Sequence, residues 1–225
     1  MHGIRRLFNF YLNGSIHVAI AVLSLVLMTN HMFQNPFDLD MGGFAFFGTI
    51  FGYNFIKFES FFRKKKPIWT ELKLIAILSI VSLLLFGYFF LQLERVTQIT
   101  AIVFFVLTFL YAVPLFSNKP NIRNWSGIKI YIVAFCWAGV TTLLPMINFG
   151  TEIYQDIFIK FCQRFLLVIT LILIFEIIDL KNDDLALETV PQKIGVKKTK
   201  ILGILLLVPF YFLEFFKSEI DTYQL

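Results

Sequence analysis

Long uninterrupted apolar runs dominate this chain and decide what it can fold into. Hydrophobic residues make up 58% of the 225 positions and charged residues only 16%, whereas a soluble domain carries about 25% charged residues. About seven runs are long enough to cross the hydrocarbon core of a bilayer as helices. The predicted spans lie near residues 10–30, 42–62, 72–92, 97–116, 127–148, 158–178 and 200–217.

The continuity of these runs favours helices over a membrane β-barrel, whose strands would alternate apolar and polar residues. The spans use nearly the whole chain and leave no room for a separate soluble domain. The sequence therefore predicts a single all-α integral-membrane domain over residues 1–225, built as a polytopic bundle of transmembrane helices.

Basic residues cluster in alternate connections between the predicted spans, and the intervening connections carry few of them. The basic set comprises Arg5, Arg6, Arg63, Lys64, Lys65, Lys66, Lys73, Lys119, Arg123, Lys181, Lys193, Lys197, Lys198 and Lys200. Because basic loops stay in the cytosol, the N-terminus is expected there, and seven spans would place the C-terminus outside. The net charge of +5 fits this topology and an anionic leaflet, and it does not indicate nucleic-acid binding.

Three carboxylates lie where the sixth predicted span meets the cytosol: Glu176, Asp179 and Asp183. Their spacing brings them within roughly 60° of one another on one face of a helix. Carboxylates gathered at a membrane edge are costly without a cation between them, and a hard divalent ion prefers oxygen ligands. The pattern indicates a metal site. The alternative is a charged helix end paired with Lys181 and the lysines that follow it.

A basic loop is expected on the same side of the membrane as the carboxylates. Tyr111 and Pro114 end the fourth span, Lys119 and Arg123 follow, and Lys129 lies at the start of the fifth span. Cations that face metal-binding carboxylates suit a diphosphate, whose oxygens can be shared between Mg²⁺ and basic side chains. The alternative is that these cations only anchor the helices at the lipid headgroups.

These two stretches together resemble the UbiA superfamily of intramembrane prenyltransferases. The second aspartate motif of that family is Asp-x-x-x-Asp, a turn, a Ser or Thr, and Leu-Gly or Ile-Gly. Its counterparts here are Asp179, Asp183, Thr189, Ile194 and Gly195. The Tyr-x-x-Pro, basic loop and Trp-containing helix of the family resemble residues 111–145. The likeness extends from residue 10 to about residue 217.

The resemblance implies a bundle around a central cavity that opens near the cytosolic side. A polyprenyl diphosphate would bind there through Mg²⁺, and its prenyl group would pass to a lipophilic acceptor in the membrane. Asp179 and Asp183 would hold the catalytic metal, with Glu176 as a further ligand or as support. The substrate contacts implied are Asn54, Lys57, Tyr111, Lys119 and Arg123. The expected location is the bacterial cytoplasmic membrane.

The first aspartate motif of the family, Asn-Asp-x-x-Asp with a further Asp, is degenerate here. Asn54 is retained, but Phe55, Phe58 and Phe62 stand where carboxylates are expected. Phe cannot coordinate a metal, although Lys57 can contact a phosphate as a point charge. The family usually has nine spans, against seven predicted here. Two hypotheses stay open: a weakened prenyltransferase, or a non-catalytic relative that binds prenyl lipids or serves assembly or transport.

Two further cations lie at the outer end of the sixth predicted span. Lys160 is close enough to the span end to snorkel toward the headgroups. Arg164 is deeper, and its expected partner is Glu152, Asp156 or a backbone carbonyl. Neither residue is assigned to catalysis.

Overall fold

The computed structural model describes residues 2–63, 70–112, 128–181 and 188–218, and it has no strand among them. The all-α prediction is thus confirmed for this part of the chain. The helices are α1 (His2–Asn13), α2 (Ile16–Met32), α3 (Leu39–Arg63), α4 (Thr70–Gln92), α5 (Arg95–Ala112), α6 (Ile128–Ala138), α7 (Leu144–Asn148), α8 (Gln155–Asp179), α9 (Val190–Ile194) and α10 (Val196–Phe212). A π-helical turn, Gly139–Leu143, joins α6 to α7, and a 3₁₀ turn, Leu213–Phe216, follows α10.

Four helical segments are long and apolar enough to cross a membrane, and the bent pair α1 and α2 gives a fifth if it counts as one span. The four are Leu72–Gln92, Lys129–Asn148, Gln155–Asp179 and Val196–Phe216. Large apolar side chains cover their outer surfaces, for example Leu91, which is 73% exposed. Such a surface suits lipid rather than water. The chain is an integral membrane protein, but the seven predicted spans and the central cavity are not confirmed.

The first predicted span differs from expectation because it is not one continuous helix. α1 and α2 meet at 61°, and Ser15 between them adopts a left-handed conformation with φ of 60°. A Cβ added at Gly14 would lie 2.9 Å from the Phe10 carbonyl oxygen and 3.0 Å from Cδ2 of Leu78. Only glycine fits so close to the Phe10 carbonyl and to α4. The helix breaks at this glycine, within an apolar run.

Residues 1–98 and residues 99–225 form two compact units. In the first unit, α3 packs against both α2 and α4. Gly43 and Gly48 on α3 make room for aromatic rings of α4: an added Cβ would lie 2.5 Å from the ring of Phe89 and 2.8 Å from that of Phe86, respectively. The rings of the two helices also stack, in the pairs Phe44–Phe86 at 5.0 Å and Phe47–Phe89 at 5.9 Å between centroids.

In the second unit, α8 packs against both α6 and α10. Buried aliphatic side chains from α6 and α8 form its core: Ile130, Ala134, Val168, Ile169 and Leu173. The π-helical turn precedes Pro145, which has no N–H to donate to the carbonyl of Thr141. In the same turn, the Thr141 hydroxyl donates a hydrogen bond to the Trp137 carbonyl at 2.7 Å. The helix from residue 128 to residue 148 therefore continues with one local widening.

Gly43→Ala is expected to destabilise the first unit by about 1–3 kcal/mol, because the new methyl group overlaps the Phe89 ring. Thermal unfolding of the purified chain in detergent measures the change. Gly52→Ala is the matched control on the same helix, since its Cβ would meet nothing within 4 Å. That variant should be neutral or more stable by up to about 1 kcal/mol. Equal effects in the two variants would contradict the close approach of α4 to Gly43.

Candidate functional site

Asn54 lies at the centre of a buried polar network in the first unit. This Asn54 network consists of Ser15, Asn54, Lys57 and Ser79. The side chain of Asn54 is fully buried; its Oδ1 accepts from the Ser15 hydroxyl at 2.9 Å, and its Nδ2 donates to Ser79 Oγ at 3.0 Å. The amide thus ties α3 to the start of α2 and to α4. Nδ2 has a second N–H, but because the side chain is fully buried, contact with a phosphate would require its neighbours to move.

Lys57 belongs to the same network but reaches the surface of the unit. Its ammonium donates to the Ser15 hydroxyl at 3.1 Å and to the carbonyl of Asn13 at 3.4 Å. That carbonyl ends α1, where the helix dipole favours a cation. The side chain is exposed, so an anion from solvent can approach the ammonium. The structure therefore brings together two of the predicted substrate contacts, Asn54 and Lys57.

Phe55 stands where the first aspartate motif would have a carboxylate, and its environment is apolar. The side chain is 40% exposed, and its ring lies 5.9 Å from that of Phe51, one helical turn away. Phe58 and Phe62 lie on α3, and their side chains are outside the described residues. The described part of this motif offers an amide and an ammonium, with no oxygen anion for a metal.

Glu176 is the most constrained of the predicted metal ligands. The residue is 7% exposed, and its Oε1 lies 2.8 Å from Nζ of Lys129 at the start of α6. Its Oε2 accepts from the backbone N–H of Val190 at 3.0 Å, at the start of α9. One carboxylate thus joins three helices of the second unit. Binding of a metal by Glu176 would require it to share or release Lys129.

Asp179 lies one turn beyond Glu176, at the last residue of α8, and its side chain is exposed. The third carboxylate, Asp183, lies outside the described residues, as do Lys119, Arg123 and the side chain of Tyr111. Among the described side chains, no group of three His, Cys, Asp or Glu residues is placed to hold a metal ion. The described geometry thus leaves Asp179 as the accessible oxygen ligand at this helix end.

The residues after the Asp-x-x-x-Asp stretch have clear local roles. Thr189 is the N-cap of α9, and its backbone N–H donates to Oε1 of Gln192 at 2.8 Å. Gly195 has φ of 81°, a conformation that side-chain-bearing residues rarely adopt, and it separates α9 from α10. This cap and this glycine turn bring the chain back from α8 into α10.

Sequence reasoning missed several polar partners in both units. Ser15 and Ser79 complete the Asn54 network, and Lys129 neutralises Glu176, although it had been expected among the phosphate-binding or headgroup cations. The one local signal for the network was the Gly14–Ser15 pair inside an apolar run, since both residues favour breaks and caps.

Comparison with known proteins gives no relative from which to transfer a function. No family model matches the chain, and neither a curated protein nor a solved structure matches it significantly. Any assignment of function rests on the residues of the chain and their local geometry.

Lys129→Met is expected to lower the free energy of unfolding by about 3–5 kcal/mol, because it leaves the buried Glu176 charge without its partner. Unfolding in detergent, monitored by tryptophan fluorescence, measures the loss. Lys193→Met is the matched control. It breaks the Lys193–Glu188 pair, which has the same 2.8 Å separation but side chains that are 49% and 54% exposed. An exposed pair is worth about 0–1 kcal/mol. Similar losses in both variants would show that Glu176 is not dependent on Lys129.

Proposed function

We propose that this chain is a UbiA-like membrane prenyltransferase that binds a polyprenyl diphosphate with Mg²⁺ at the cytosolic membrane face and turns it over weakly. The observation that carries the proposal is the end of α8. There the exposed Asp179 follows the buried Glu176–Lys129 pair by one helical turn, next to the Thr189 cap and the Gly195 turn. The Asp-x-x-x-Asp resemblance lies on this same stretch.

The described residues fit a divalent cation in part. The exposed carboxylate of Asp179 is a hard oxygen donor of the kind that Mg²⁺ prefers. In the proposed site Asp179 and Asp183 hold the metal. Glu176 forms an ion pair with Lys129. In the proposed site it positions the Lys129 ammonium beside these two carboxylates. When bound, Mg²⁺ would neutralise negative charge on the departing diphosphate.

The remaining charge of a diphosphate would be met by cations of the chain. In this proposal Lys119 and Arg123 are the phosphate ligands of the second unit. The first unit offers a separate anion contact in Lys57, which is exposed and is linked to Asn54 through Ser15. Fixed donors of this kind stabilise the leaving group because they need no reorganisation during the reaction.

The proposal includes the placement of these groups in one cell compartment. In this proposal the N-terminus and the end of α8 lie in the cytosol of a bacterium and the C-terminus lies outside, because basic connections favour the cytosolic side of a membrane. The prenyl tail and a lipophilic acceptor would then reach the site from the bilayer, which the apolar helix surfaces already contact.

Asp179→Asn is expected to weaken the Mg²⁺-dependent binding of radiolabelled farnesyl diphosphate to the purified chain. Loss of one charged ligand removes about 1.5–3 kcal/mol, or roughly 10- to 100-fold in affinity. Asp183→Ala should have a comparable effect. Glu152→Gln, which neutralises an exposed acid just before the other end of α8, is the control and should bind like the wild type. If binding is independent of Mg²⁺ or unchanged in Asp179→Asn, the carboxylates form only a solvated helix end.

A second candidate function is supported by Phe55. Its exposed phenyl ring stands at a position where the first aspartate motif calls for a carboxylate, so this motif lacks that metal ligand. A relative that binds a prenyl lipid, and serves assembly or transport instead of catalysis, would tolerate this change. The absence of turnover together with retained binding would favour this candidate.

Turnover by the wild-type chain is expected to be weak or absent, because loss of metal ligands from the first motif removes several kcal/mol of leaving-group stabilisation. At about 1.36 kcal/mol per factor of ten, this corresponds to roughly a thousandfold or more in rate. Release of inorganic diphosphate from farnesyl diphosphate measures it. Phe55→Asp, combined with Phe58→Asp, should raise the affinity for Mg²⁺, whereas the uncharged Phe55→Asn should not. Rapid diphosphate release by the wild type would mean that the first motif is dispensable.

A further inference from the structure

The N-terminal helix α1 has two chemically different faces. Large apolar side chains are exposed along one face: Ile4, Leu7, Phe8 and Leu12. At about 100° per residue, they lie within an arc of roughly 140°. The rest of the exposed surface of α1 is polar and carries Arg5, Arg6, Asn9 and Asn13. Because Ile4 is 80% exposed and Leu7 73% exposed, the described part of the chain leaves most of this apolar face uncovered.

Specific contacts hold the bend between α1 and α2. The two helices meet at 61°. The Ser15 hydroxyl in the bend donates to Oδ1 of Asn54 at 2.9 Å, and the Lys57 ammonium donates to the carbonyl of Asn13 at 3.4 Å. Both partners belong to α3, so a straight continuation of α1 into α2 would break these hydrogen bonds. The direction of α1 is therefore a fixed property of the first unit.

The length of α2 leaves α1 outside the apolar core of a bilayer. The 17 residues of α2 rise about 26 Å, which is close to the thickness of the hydrocarbon core, about 30 Å. A straight helix over α1 and α2 would measure about 46 Å. With α2 along the membrane normal, the 61° bend places α1 about 30° from the membrane plane. α1 then lies at the level of the lipid headgroups.

The apolar face of α1 belongs to a part of the first unit that already exposes apolar surface. α1 contacts α4, and Gly14, next to the end of α1, approaches Leu78 of that helix. α4 contains one of the membrane-spanning segments, and it exposes Leu74 and Ile77 one turn before Leu78. Lys73, in the same turn of α4, is also exposed. Lipid that covers this part of α4 can therefore cover the apolar face of α1 as well.

We infer that α1 is a membrane-surface helix that binds anionic lipid headgroups. Helices of this kind place their apolar side chains about 5–10 Å into the boundary between headgroups and acyl chains, and their basic side chains among the headgroups. Arg5 and Arg6 provide charge that is complementary to a lipid such as phosphatidylglycerol. This inference does not depend on the proposed prenyltransferase activity, because it concerns residues outside that site.

Hydrogen exchange of residues 4–13 in the full chain tests the contact with lipid. A helix as short as α1 is marginal in water, so its amide protection reports how often it leaves the membrane. The chain is placed in nanodiscs, one chain per disc, with phosphatidylcholine alone or mixed with phosphatidylglycerol. We expect about 30-fold greater protection in the mixture, because each arginine near an anionic surface contributes about fivefold.

Variants separate the contribution of charge from that of the apolar face. Arg5→Gln/Arg6→Gln should lose the increase caused by phosphatidylglycerol, and the helix propensity changes little because Gln resembles Arg in this respect. Lys197→Gln/Lys198→Gln removes two exposed cations of α10 and is the control for net charge; it should keep the increase. Leu7→Gln should lower protection by about tenfold in both lipid compositions, because it removes an apolar side chain from lipid.

Nitroxide labels on the two faces of α1 test its orientation in the same nanodiscs. Cys136→Ala and Cys162→Ala remove the native cysteines, and Leu7→Cys or Asn9→Cys then provides the attachment point. We expect oxygen, which dissolves among acyl chains, to relax the label at position 7. A water-soluble nickel complex should relax the label at position 9.

Three results would overturn the inference. Access of oxygen alone to both labels would mean that α1 is the first part of a membrane span. Equal protection in the two lipid compositions, unchanged in Arg5→Gln/Arg6→Gln, would mean that α1 does not recognise anionic lipid. Protection that appears only in discs with two chains would mean that a second copy covers the apolar face.

Discussion

A polar group inside an apolar helical protein must find its partner within the protein, because the surrounding hydrocarbon offers none. The junctions of both units follow from this requirement. Where the first apolar run breaks at Gly14 and Ser15, the exposed carbonyl of Asn13 is met by Lys57, a residue of α3. Where α8 ends with a buried carboxylate, Glu176 is met by Lys129 and by the start of α9.

Two of the groups predicted to bind a ligand, Asn54 and Glu176, also hold the fold together. The described hydrogen bonds of the Asn54 side chain go to Ser15 and Ser79. Both carboxylate oxygens of Glu176 also have partners. A diphosphate or a metal ion bound by these groups would have to compete with these contacts. Asp179 and Lys57 differ from them because both are exposed. In each unit an exposed charge, Lys57 or Asp179, thus lies one helical turn from a buried polar group that already has partners.

α8 carries ionisable side chains toward both of its ends. Glu176 and Asp179 lie at one end, and the buried Lys160 and Arg164 lie toward the other. A helix of this length spans about 37 Å, which exceeds the hydrocarbon thickness of a bilayer. Asp179 and Lys160 therefore lie near the two ends of the helix, whereas Arg164 lies deeper, about two and a half turns from its start.

The sequence by itself determined the helical class and the positions of most helices within a few residues. Run length depends on neighbours in the chain, so a local pattern is sufficient to predict it. Only the tertiary structure showed the break at Gly14, where Leu78 of α4 lies close to the glycine. It also decided that Glu176 pairs with Lys129 and that Arg164 contacts Thr141 and not Asp156. Those choices depend on which helices pack together, and composition and spacing along one chain do not contain that information.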